Sequence, residues 1–243
     1  MKKTLFVLLT VLICLGLASI AMAGVSGTPH DPRVFPNLGA SFVCESCHTP
    51  HAAQTYPLWN RNRNGSTLTF AMYNSPTFDE SLVAATYTAG GYLGYQSKLC
   101  FACHDGALST IQFVPAPDVA GSYDITILDT NKTFGNDLRN THPVGFLVNI
   151  ALDYNGGGRS GLNTLVVTNR NIQGNSGNNN FPLYPDPSGG TLTQGTFQCA
   201  TCHTVHNTPD DGYNCFTDGE VCFLRVSNLA SNMCAECHPL YYW

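Results

Sequence analysis

The stretch CESCHTPH, residues 44–51, places two cysteines and two histidines within eight positions. Cys44 and Cys47 flank two residues, His48 follows the second cysteine directly, and His51 comes three residues later. The pattern C-x-x-C-H occurs three more times, as CFACH (100–104), CATCH (199–203) and CAECH (234–238). These four motifs are the features around which the rest of the chain can be interpreted.

C-x-x-C-H is the attachment signature of c-type haem. Its two thiols add covalently to the two vinyl groups of the haem, and the histidine after the second thiol becomes an axial ligand of the iron. Zinc is the alternative, since C-x-x-C pairs also build Cys₄ sites, but zinc does not require a histidine directly after every pair. We therefore expect four covalent c-type haems. The expected thioether residues are Cys44, Cys47, Cys100, Cys103, Cys199, Cys202, Cys234 and Cys237.

The chain contains eight histidines, which is the number that four six-coordinate, bis-histidine haems need. The two axial ligands approach an iron from opposite faces, so His51 cannot bind the same iron as His48 and must serve a second haem held beside the first. CATCHTVH (199–206) repeats this arrangement with His203 and His206. The expected proximal ligands are His48, His104, His203 and His238. The expected distal ligands are His30, His51, His142 and His206.

Methionine is the competing distal ligand, and Met/His ligation raises the reduction potential of a haem. Only Met72 and Met233 follow residue 23. Met233 adjoins Cys234 and is badly placed to reach the far face of that haem, and Met72 lies in an irregular stretch. The sequence therefore favours histidine at all four irons.

Residues 1–23 have the pattern of a secretory signal peptide: a basic start, an apolar run and the small-residue site AMA at 21–23. Residues 24–243 contain no second apolar stretch long enough to span a bilayer. They carry 9 basic and 16 acidic residues, a net charge of about −7, without a Lys/Arg cluster. Nucleic acid and anionic membrane surfaces are therefore not expected as partners.

Residues 24–243 are expected to form one haem-cored unit with two similar halves, about 24–140 and 141–243. Each half has the order lone His, CxxCHxxH, CxxCH. We expect a mostly irregular chain with short helical turns at the motifs, a few short strands, and no large sheet or helix bundle. With so little regular structure, the haems must supply much of the apolar core, and the apoprotein should be largely unfolded.

Three apolar, β-branched runs are candidate strands: YDITIL (123–128), FLVNIAL (146–152) and LNTLVV (162–167). The Gly/Asn-rich stretch from Asn155 to Asn180 is expected to be an exposed loop. Cys215 and Cys222 flank a DG turn signal in NCFTDGEVCF. In an oxidising compartment these two cysteines are expected to form a disulfide, with a reactive free pair as the alternative.

The tetrahaem spacing, the CxxCHxxH pairs, the THPVGF segment around His142 and the loop-rich chain resemble the extracellular multihaem cytochrome filaments (nanowires) of metal-reducing bacteria. The resemblance covers the whole chain after residue 23, although the haem motifs are specific for multihaem c-type cytochromes in general. It implies a head-to-tail polymer of continuously stacked haems, in which neighbouring haems alternate between parallel and T-shaped packing. A heterologous contact of this kind generates an open filament.

The resemblance also implies that one subunit supplies a histidine to a haem of the next. His30 would be that donor, because it lies close to the start of the mature chain, where a terminus can reach outward. On the same basis His51 is assigned to the CFACH haem and His206 to the CAECH haem. His142 is left for one of the other two.

The expected function is electron transfer without substrate chemistry, so the chain is not expected to be an enzyme. Its expected location is an extracellular or cell-surface filament, with itself, other multihaem cytochromes and acceptors such as metal oxides as partners. One alternative is a soluble periplasmic shuttle, but such shuttles often display a lysine patch and only Lys98 and Lys132 remain here. A multihaem reductase is the other alternative. It needs an open iron position, which the histidine count does not leave.

Overall fold

The computed structural model describes residues 24–34, 43–44, 47–48, 70–73, 93–104, 134–148, 166–168, 171–173, 180–184, 195–206 and 222–238. These ranges contain three α-helices, α1 (Tyr95–His104), α2 (Cys199–Cys202) and α3 (Asn232–Ala235). They also contain 3₁₀ turns at Pro32–Val34 and Leu229–Ser231. The strands are β1 (Leu147–Val148), β2 (Val166–Thr168), β3 (Asn171–Gln173), β4 (Asn180–Pro182) and β5 (Gly195–Thr196).

For this described part of the chain, the expectation of short helices and strands without a large sheet or bundle is confirmed. Strands β1 and β5 pair antiparallel, and β2, β3 and β4 form a three-stranded antiparallel sheet in that order. No helix in the described ranges is long and apolar enough to cross a membrane. The haem core and the division into two halves stay predictions.

Two of the three candidate strands are found in part. β1 lies within FLVNIAL and β2 begins within LNTLVV, whereas YDITIL lies outside the described residues. The loop expected from Asn155 to Asn180 is wrong where β2, β3 and the first residue of β4 form a sheet. The reason is burial: Ile172 and Phe181 face each other across β3 and β4, and each is only 1% exposed. Packing on a half-buried surface outweighs a Gly/Asn-rich composition.

The buried apolar side chains form two clusters, and cysteines of the C-x-x-C-H motifs pack against both. The first cluster consists of Val148, Ile172, Phe181, Leu183, Phe197 and Val226. The second cluster consists of Phe70, Leu93, Phe101 and Leu138. Cys202 and Cys237 pack against the first cluster, and Cys199 packs against the second. Apolar surface at these positions would exclude water from one side of a bound cofactor.

A buried polar network joins α1 to the start of α2. Ser97 and Gln198 are both fully buried, and the Ser97 hydroxyl donates to Oε1 of Gln198 over 2.5 Å. The same hydroxyl oxygen accepts the backbone N–H of Cys199 at 3.0 Å. Nε2 of Gln198 donates to Oγ1 of Thr196 at 2.9 Å. A side chain at Gly94 would overlap the Gln198 amide, so the close approach of the two segments requires glycine there.

Residues 24–34 fold into consecutive turns around a buried carboxylate. Asp31 is 2% exposed and accepts the backbone N–H of Gly27 at 2.8 Å. The Arg33 guanidinium donates to both Asp31 oxygens, at 2.9 and 2.7 Å, and holds the pKa of that carboxyl well below its usual range. The hydroxyl of Thr28 accepts the backbone N–H of His30 at 3.2 Å. Several hydrogen bonds within residues 24–34 therefore stabilise the segment that contains His30.

Candidate metal centre

Each C-x-x-C-H motif forms one helical turn. The second motif is the end of α1, and in the other three the histidine N–H donates to the carbonyl of the first cysteine. These bonds measure 2.8 Å for His48, 3.0 Å for His203 and 2.9 Å for His238. Residues three and four apart share one face of a helix, so both thiols and the imidazole of a motif point the same way. The expectation that short helical turns carry the motifs is confirmed.

None of the eight motif cysteines forms a disulfide. The thiols of Cys100 and Cys199 hydrogen bond with each other, which raises the pKa of Cys100 and lowers that of Cys199. Burial raises the pKa of Cys202 to about 12, and the neighbouring Cys237 contributes to the shift. The cysteines of the third motif therefore lie close to those of the second and the fourth.

Three pairs of histidines have nearly the same separation between ring centroids. The separations are 6.1 Å for His30 and His104, 6.4 Å for His48 and His206, and 6.3 Å for His142 and His238. A metal–nitrogen distance of about 2.0 Å, with about 1.1 Å from nitrogen to ring centre, puts two imidazoles on opposite sides of one ion about 6.2 Å apart. The three observed separations are therefore those expected of two histidines that hold one iron between them.

Each of these pairs joins one expected proximal histidine with one expected distal histidine. The pairing differs from the assignment that the resemblance implied: His206 lies beside His48 rather than beside His238, which has His142 as its neighbour. His30 lies beside His104 of its own chain. His51 lies outside the described residues, so its assignment to the CFACH haem stays a prediction.

Backbone carbonyls accept hydrogen bonds from the imidazoles of His142 and His203. Nδ1 of His142 lies 3.0 Å from the carbonyl oxygen of Pro143, and a hydrogen bond donated there places the proton on Nδ1 and the lone pair on Nε2. A ring N–H of His203 donates in the same way to the carbonyl of Phe223. Both imidazoles reach the surface, but crowding by protein atoms desolvates them and lowers their pKa. A lowered pKa favours the neutral imidazole, which is the form that binds metals.

Phe223 contacts two of the candidate ligand histidines, His30 and His203. Its ring stacks on His30 with the centroids 4.2 Å apart, and its carbonyl accepts the backbone N–H of Thr204 at 2.8 Å as well as the ring of His203. Its φ of 72° lies in the left-handed region, which is unusual for a bulky side chain. Sequence reasoning missed this residue. The only signal was its position next to Cys222.

Cys222 is disulfide-bonded in the structure. Its expected partner Cys215 lies outside the described residues, so the pairing itself stays a prediction. The two methionines considered as ligands are both accounted for by packing: Met72 lies against the second cluster and Met233 against the first.

Across the described residues, no group of three or more His, Cys, Asp and Glu side chains could hold a metal ion by itself. Haem iron needs only two protein ligands. No protein-family model matches the chain, and no curated protein is detectably similar to it.

Proposed function

We propose that this chain is a tetrahaem c-type cytochrome that carries electrons through closely spaced bis-histidine haems. The observation that carries the proposal is the recurrence of one geometry. Four motifs present two thiols and an imidazole on a helical turn, and three of the four proximal histidines face a second histidine at 6.1–6.4 Å. A zinc-ribbon interpretation explains neither the histidines after each cysteine pair nor their partners.

A bound haem would supply reversible one-electron chemistry, and the protein would set its ligands, burial and spacing. The motif cysteines would fix each haem, and the two apolar clusters would exclude water behind the attachment sites. The adjoining thiols of the second, third and fourth motifs would keep neighbouring haems close together. Two imidazoles on every iron leave no position for a substrate, so we propose electron transfer rather than catalysis.

We further propose that the chain is exported and polymerises head-to-tail into an extracellular filament. This part is supported by the resemblance to multihaem filaments and by the low content of charged residues, 11%. About 55 residues per haem in the chain after residue 23 leave polypeptide for contacts between subunits. The proposed partners are further copies of the chain, other multihaem cytochromes and extracellular acceptors such as metal oxides.

The haem proposal is tested on protein produced with c-type haem maturation. Intact mass under denaturing conditions should show four covalently attached haems, and electron paramagnetic resonance should show only low-spin iron. Carbon monoxide should not bind to the reduced protein. A chain without covalent haem would refute the proposal, and a CO-binding haem would instead support a reductase.

The filament proposal is tested by electron microscopy of the sheared extracellular fraction. Uniform filaments that contain this chain are expected. Discrete particles, with the protein retained in the periplasm, would contradict the filament and favour the soluble shuttle.

A further inference from the structure

We infer that His30 and His104 are the two axial ligands of one haem iron within a single chain, so that the CFACH haem takes no ligand from a neighbouring subunit. The inference rests on the proposed function and deepens it. It differs from what the resemblance implied for His30, and it changes how copies of the chain would join.

The first support is the distance between the rings. The His30–His104 separation of 6.1 Å agrees within 0.3 Å with the His48–His206 and His142–His238 separations. The three pairs connect unrelated parts of the chain. A common separation close to that of two imidazoles on one ion is what a shared ligand geometry predicts.

The second support is that His30 is held in place from both sides. On one side, the ring of Phe223 stacks on it at 4.2 Å with an interplanar angle of 25°. On the other, the turns of residues 24–34 are fastened by Asp31 and Arg33, and Thr28 accepts the His30 N–H. These contacts hold the His30 ring beside His104 of the same chain.

Two other pairs among the described histidines are compatible with this assignment. His48 takes His206, and His238 takes His142. The second histidine of CATCHTVH thus lies beside the proximal histidine of CESCHTPH.

The first experiment compares the haem spin states of the dissociated monomer and of the assembled protein. With His30 bound within its own chain, the CFACH haem of the monomer should be low-spin and should bind no carbon monoxide. His30→Ala should convert one haem of four to a CO-binding form, to the same extent in the monomer and in the assembly. Unchanged spin states in the His30→Ala monomer, with a CO-binding haem appearing only when the variant assembles, would overturn the inference.

The second experiment identifies which haem His30 serves. Cys100→Ser/Cys103→Ser removes the CFACH attachment site and should leave three haems by mass. Adding His30→Ala in this background should create no high-spin haem, whereas the matched control His142→Ala should create one. One high-spin haem among three after His30→Ala would show that His30 binds a different iron.

If alanine at position 30 prevents accumulation of the protein, His30→Met keeps a ligand and adds a methionine–iron absorption band. That band should appear in the four-haem protein and be absent without the CFACH haem. Its persistence in the three-haem background would contradict the pairing. Failure of the pairing is distinguishable from failure of the proposed function: a chain with no covalent haem refutes both, and a four-haem chain with other variant spectra refutes the pairing alone.

Discussion

At the scale of single residues, Phe223 contacts two candidate ligand histidines, although no sequence pattern indicates this role. Its left-handed backbone turns the carbonyl towards His203 while its ring covers His30. A bulky residue held at positive φ costs about 1–3 kcal/mol and persists only where the surroundings fix it. Here those surroundings include the disulfide at the preceding residue.

Replacing Phe223 separates the role of the ring from that of the backbone. Phe223→Ala and Phe223→Gly both remove the stack on His30, but glycine adopts positive φ without strain. We expect both variants to shift the reduction potential or spin state of one haem, while Phe223→Gly unfolds at a higher denaturant concentration than Phe223→Ala. Phe223→Tyr should retain the wild-type spectrum. A normal spectrum in both ring-deleted variants would show that Phe223 does not position His30.

Asp31→Asn should destabilise the protein at neutral pH by about 1–3 kcal/mol, because a buried, charge-assisted hydrogen-bond network is lost. The pKa of Asp31 is lowered in the folded chain, so its stabilisation is fully present above the unfolded pKa of about 3.9 and is lost as the pH falls below it. The difference in denaturant midpoint between wild type and variant should therefore become smaller as the pH is lowered from about 6 to about 3, a range that includes the unfolded pKa of Asp31.

The matched control is Asp137→Asn. Asp137 makes the same carboxylate–guanidinium contact with Arg139, at 2.6 Å, but both side chains are largely exposed. Solvent screens an exposed pair of this kind, so Asp137→Asn should change the denaturant midpoint much less than Asp31→Asn. Equal effects of the two variants would indicate that burial of Asp31 is unimportant.

At the scale of elements, the sequence predicts what is local and fails where distant segments meet. The motif turns are predictable because an i, i+4 spacing fixes one helical face. β2 overlaps a predicted strand, but its pairing with β3 and β4 is not predictable, because it depends on the burial of Ile172 and Phe181 against residues far along the chain. The histidine pairs are unpredictable for the same reason: His48 and His206 are 158 positions apart, and no local pattern indicates which motif faces which.

Hydrogen bonds of the buried Ser97 and Gln198 side chains hold α1 against the start of α2. Gln198→Ala should destabilise the protein by about 1–3 kcal/mol, since it leaves the buried Ser97 hydroxyl without its acceptor. Ser97→Ala should cost a similar amount. Because the two side chains share one hydrogen bond, the double variant should cost less than the sum of the two single variants. Denaturant unfolding of all four proteins measures the coupling, and strict additivity would contradict it.

At the scale of the whole molecule, the described hydrophobic clusters are small. They contain six and four buried residues, and motif cysteines pack directly against them. We expect the chain to depend on its haems for a complete core, as metal-organised domains depend on their metals.

Chain produced without haem maturation should therefore lack a cooperative thermal transition by circular dichroism and should exchange most amide hydrogens rapidly. The holoprotein made in parallel is the control. A cooperative transition in the haem-free chain would show that the polypeptide alone specifies the fold.

The hydrogen bond between the thiols of Cys100 and Cys199 has a consequence for biogenesis. Once α1 lies against α2, these sulfurs are neighbours, and an oxidant in the proposed extracytoplasmic location could join them in a disulfide that leaves neither thiol for a haem vinyl group. On the proposed function, thioether formation would therefore have to precede the docking of the two helices. The proposed order of maturation is export first, covalent attachment to an open chain second, and packing of α1 against α2 last.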